Sequence, residues 1–71
     1  MTTALFHKEL YPLKALEQAV RDFSAVTEAK IVFQQEHYEI IFAQVNPPYT
    51  EQAVKGEFSN YVLMLAKAIH A

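Results

Sequence analysis

The chain has 71 residues, with no Cys, no Trp, one Gly and three Pro, and a formal charge of −2 from six basic and eight acidic side chains. Disulfides, thiolate metal sites and a Cys nucleophile are excluded. So little positive charge argues against a nucleic-acid partner, whose phosphates are met mainly by Lys and Arg.

Apolar residues make up 52% of the chain, so it is expected to fold, as a single small α+β domain over residues 1–71. A chain this short buries only ~60% of its unfolded surface, and one core of that size supplies ~3–5 kcal/mol. With disulfides impossible, association with a second protein or with itself is the common remaining source of stability. Residues 1–8 lack the basic start and long apolar run of a secretory signal. The longest apolar stretch, residues 61–66, is far below the ~20 residues that span a bilayer. The expectation is a cytoplasmic protein with no membrane partner.

In chain order, residues 3–8 read as a strand, with Leu5 and His7 on one face and Ala4 and Phe6 on the other. Residues 12–26 read as a helix, because Leu13, Leu16, Ala19, Val20 and Phe23 recur at helical spacing. Pro12 suits the first turn, Tyr11 is a weak N-cap, and Glu17 is placed to pair with Arg21 four residues on. Residues 30–35 and 38–45 read as two strands rich in β-branched and aromatic side chains. The link at residues 36–37 has no Gly or Asn, so a loose hairpin is expected rather than a tight one. The second of these strands is apolar on both sides, with Ile40 and Phe42 on one face and Ile41, Ala43 and Val45 on the other. That pattern predicts the middle of the sheet.

Asn46, Pro47, Pro48 and Tyr49 predict a stiff extended connector. Thr50 then caps a helix over residues 51–69, with Glu51 in its first turn. Val54, Phe58, Tyr61, Val62, Leu65 and Ile69 form its main stripe, which Leu63 and Met64 widen. Gly56 within it marks either a close helix contact or a later helix start. The order is β-α-β-β-α, a two-layer sandwich of a three-stranded sheet with two helices on one face. The other sheet face then still presents an apolar set, and the outer strands have unpaired edges.

No residue pattern points to catalysis. None of His7, His37 and His70 has a zinc-ligand spacing. His37 and Glu39 share a strand face and come nearest to a cluster, but a solvated face explains them better. The acidic residues are scattered, with nothing to split their pKa values into an acid and a base. Ser24 and Ser59 lie in no nucleophile elbow, and a lone glycine makes no phosphate loop. Most aromatic residues read as core. The surface candidates for partner binding are Phe33, Tyr38, Ile41, Tyr49 and Met64, with Tyr38 and Tyr49 as amphipathic anchors.

The run Phe6-His7-Lys8-Glu9-Leu10-Tyr11, followed by a helix ending Arg21-Asp22-Phe23-Ser24, resembles the HxsD-like proteins of the His-Xaa-Ser peptide systems. So do Ala29-Lys30-Ile31-Val32-Phe33, the apolar strand after it, and Glu57-Phe58-Ser59-Asn60-Tyr61-Val62. The resemblance covers most of the chain and carries no catalytic motif. Those proteins are small and are encoded with radical-SAM maturation enzymes. The resemblance implies an accessory protein in peptide modification that binds a precursor peptide or an enzyme. The residues themselves lead to a non-enzymatic binding module without cofactor or metal. It would hold a protein or peptide through a sheet edge or the open sheet face. A self-associating homo-oligomer is the alternative.

Overall fold

The computed structural model describes residues 2–70, the side chain of His70 excepted. The elements are β1 (Thr2–His7), α1 (Leu13–Asp22), β2 (Thr27–Phe33), β3 (His37–Val45) and α2 (Glu51–His70). The β-α-β-β-α order is as the sequence predicts. The sheet runs β1-β3-β2 and is antiparallel throughout. The strand that is apolar on both faces, β3, takes the centre.

One sheet face carries both helices. Ala4 and Phe6 of β1 and Ile40 and Phe42 of β3 are buried there. From α1 come Ala15, Leu16 and Ala19, all fully buried. Along α2, Val54, Phe58, Val62 and Ala66 are buried four residues apart, which is the spacing of one helix face. Phe58 sits at the junction of both layers. Its ring lies 5.2 Å from those of Phe23 and Phe42 and 6.3 Å from that of Phe6. Full burial of such a side chain stabilises the fold by about 1.5–3 kcal/mol.

Several elements differ from the sequence reading. Helix α1 stops at Asp22, four residues early. Residues 23–26 instead wind through a turn in which Thr27 N–H donates to Phe23 O (2.9 Å). Phe23 and Val26 still pack against the core from that turn, so their apolar spacing does not need a helix. Strand β2 accordingly starts at Thr27. Pro12 is the N-cap residue of α1 and makes no side-chain cap. Arg21 donates to Gln18 Oε1 (3.0 Å) instead of pairing with Glu17.

The hairpin link is residues 34–36, closed by Gln34 N–H to His37 O (2.9 Å). Among the described residues none has a positive φ, so the mirror-image tight turn is not formed. The connector after β3 is a turn rather than an extended run, closed by Tyr49 N–H to Asn46 O (3.0 Å). Asn46 anchors it, with its side-chain amide donating to Ala25 O (3.0 Å). The Thr50 cap forms as expected, accepting from Ala53 N–H (3.2 Å). Neither reading of Gly56 holds. The helix begins before it, and a Cβ there would meet nothing within 4 Å.

The face assignment of Val45 is also corrected. The register passes from Ala29↔Phe42 to Glu28↔Gln44, so Ala43 is an extra residue on β3. This bulge reverses the alternation beyond it. Val45 therefore turns to the helix side, opposite Thr27, and packs against the core.

Candidate functional site

The face of the sheet away from the helices is open. Strand alternation and register place Thr3, Leu5 and His7 there from β1, His37, Glu39 and Ile41 from β3, and Lys30 and Val32 from β2. Leu5, on the outermost strand, is 62% exposed. Across the sheet the row is Leu5, Glu39, Val32, and the next row is Thr3, Ile41, Lys30. Ile41 and Val32 are half-buried by their neighbours, with no second layer above them.

At one end of this face His7 and His37 stand directly opposite each other, with ring centroids 4.9 Å apart. The backbone N–H of Glu9 donates to His7 Nδ1 (3.1 Å). Glu39, which shares the face with His37, accepts from Gln34 Nε2 (3.2 Å). Among the described residues no three His, Cys, Asp or Glu side chains gather in a metal-binding group. Among the described residues no helix is long and apolar enough to cross a membrane.

Among the described residues neither edge of the sheet pairs with a further strand. Lys8 N–H donates to Glu36 O (3.0 Å) and Gln34 N–H to His37 O (2.9 Å), which sets the phase of each ladder. Bonded and non-bonded pairs alternate in antiparallel sheets. Thr3 and Leu5 of β1 therefore aim their N–H and C=O groups outward, as do Ala29, Ile31 and Phe33 of β2. At His7 the carbonyl is taken, accepting from Leu10 and Tyr11 N–H (both 3.0 Å).

The five surface candidates from the sequence do not form one surface. Phe33 and Tyr38 come together at the hairpin end of the sheet, on the helix side, with rings 5.5 Å apart edge to face. Phe33 is 61% exposed, while Tyr38 is half-buried, packs against the core and carries the Lys8 ammonium 5.3 Å from its ring centre. Ile41 lies on the opposite, open face. Tyr49 is exposed beside a cleft of about 130 Å³ that it forms with Phe23, Val26, Ala53, Val54 and Glu57. Met64 is 55% exposed on α2. Leu5 is not among these candidates, although its place on one strand face with His7 is legible in the sequence.

The helices are tied together away from this face. Tyr61 of α2 donates its hydroxyl to Asp22 at the end of α1. Asp22 also accepts from Gln18 Nε2 (2.9 Å). The Tyr61 bond, then the Gln18 bond and the Arg21 charge, hold the Asp22 carboxyl below its ordinary range. The same bond to the carboxylate raises Tyr61. At the other end of α2 a hydrogen bond from the Thr2 side chain is the main cause that lowers Glu51, linking the start of the helix to the start of β1.

No family model, curated protein or solved structure matches this chain.

Proposed function

We propose that the protein is a non-enzymatic accessory module that binds an extended peptide along β1 and over the open face of the sheet. The observation that carries this reading is Leu5, 62% exposed on an edge strand whose outward N–H and C=O groups are free at Thr3 and Leu5. An added strand would gain main-chain hydrogen bonds there. Its alternate side chains would cover Leu5 and lie beside Ile41. The other side of β1 is closed by α2, which buries Ala4 and Phe6. An edge strand with one open side suits a peptide that arrives unfolded.

The resemblance to HxsD-like proteins supports the class of partner: a precursor peptide under modification, or the enzyme that modifies it. Such a role needs no reacting group on this chain.

The test is capture of the tagged protein from its native cells, read by mass spectrometry. The expected result is a co-purifying small peptide or peptide-modifying enzyme. Recovery of the bait alone, from well-expressing cells, would overturn the accessory reading and favour self-association.

A further inference from the structure

The second free edge, on β2, carries a charge pattern that is complementary to itself. Outward main-chain groups on this strand belong to Ala29, Ile31 and Phe33, and Glu28 and Lys30 stand on either side of Ala29, both exposed on the open face. We propose that β2 pairs with β2 of a second copy, antiparallel about Ala29, so that Glu28 of each chain lies opposite Lys30 of the other. This uses a different edge from the one assigned to the peptide and does not depend on that assignment.

Three features converge on this register. First, it forms two opposite-charge cross-strand pairs, the arrangement that favours one pairing over another. Shifting the centre to Ile31 would set Lys30 against Val32 and lose both. Second, the hydrogen bonds fit. The two Ala29 residues exchange both bonds, and each Ile31 N–H meets the Thr27 carbonyl of the other copy. Thr27 N–H is already given to Phe23 O (2.9 Å), so the ladder ends at that point. Third, α1 offers an apolar flank on this side. Lys14, Gln18 and Asp22 line the groove against α2. Leu13 and Val20, seven residues apart and half-buried, lie on the flank away from it. In the pair, the two α1 flanks meet above a continuous six-stranded sheet.

The experiment is sedimentation equilibrium on the whole chain from about 1 μM to about 1 mM, a range over which a weak dimer changes population by mass action. The expected result is a rise from the 8.1 kDa chain mass toward twice that value. Lys30→Glu and Glu28→Lys each place like charges opposite one another twice, and each is expected to weaken the dimer at least about tenfold. Both positions are exposed, and circular dichroism checks that the variants fold. Mixing the two variants restores opposite-charge pairs and is expected to restore the dimer as a heterodimer. Leu5→Lys, on the other edge, is expected to leave dimerisation unchanged. A chain monomeric over the whole range, or a dimer that Lys30→Glu does not weaken, would overturn the proposal.

Discussion

Thr27 donates its hydroxyl to the main-chain carbonyl of Gln44, 2.6 Å away, at the point where β3 holds one more residue than β2. Among the described residues Thr27 is the one buried polar side chain, 1% exposed. The bond secures the bulge and, through it, the inward turn of Val45. Thr27→Val keeps the shape but removes the donor. It is expected to lower stability by about 0.5–1.5 kcal/mol, the net contribution of one such hydrogen bond. Urea unfolding measures this. An unchanged midpoint would mean that Val45 packing alone holds the bulge.

The Asp22–Tyr61 bond makes stability depend on pH at both ends of the scale. Asp22 has a folded pKa below its ordinary 3.8, so its contribution is present above that value and is lost as pH falls through the folded value. Tyr61 has a folded pKa above its ordinary 10.0, so its contribution is present below that value and is lost as pH rises through the folded one. Tyr61→Phe is expected to move the Asp22 titration up toward 3.8, with Gln18 and Arg21 still holding it partly down. Carboxyl-carbon NMR reads this directly. An Asp22 titration unmoved by the substitution would contradict the assignment of cause.

Gly56 costs the second helix conformational entropy without serving a close contact. Gly56→Ala meets nothing within 4 Å and is expected to stabilise the fold by about 1 kcal/mol. For a domain of this size that raises the melting temperature by about 4–8 °C. A fall in melting temperature would mean that the backbone at residue 56 needs the freedom glycine gives.

The order of elements was legible because each apolar period is strong where packing demands it. Val54, Phe58 and Val62 repeat at helical spacing, and Ile40, Ile41 and Phe42 mark the strand that lies between β1 and β2. Boundaries were less legible where apolar side chains serve the core from a turn. Phe23 and Val26 extend the helical pattern of α1 while the backbone has already left the helix. The face of Val45 was hidden because a bulge at Ala43 has no Gly or Pro to announce it. The candidate site was legible as an open sheet face, but the face is mixed rather than apolar, with Leu5, Val32 and Ile41 among Thr3, His7, Lys30, His37 and Glu39, and its most exposed apolar member was not legible. Leu5 lies in a short mixed strand with no strong period of its own. Neither the residue types of Phe33, Tyr38, Tyr49 and Met64 nor the position of the two tyrosines at strand or loop ends says which face each one shares.

In the proposed role, β1 and the open sheet face hold a peptide partner. The most direct measurement is a paired capture from native cells with Leu5→Lys and Met64→Lys beside the unaltered chain. Both positions are exposed, at 62% and 55%, so both variants are expected to keep the fold and its circular dichroism. The account predicts that Leu5→Lys loses the captured peptide or enzyme while Met64→Lys retains it. Retention by Leu5→Lys together with loss by Met64→Lys would contradict the account and move the docking surface to α2.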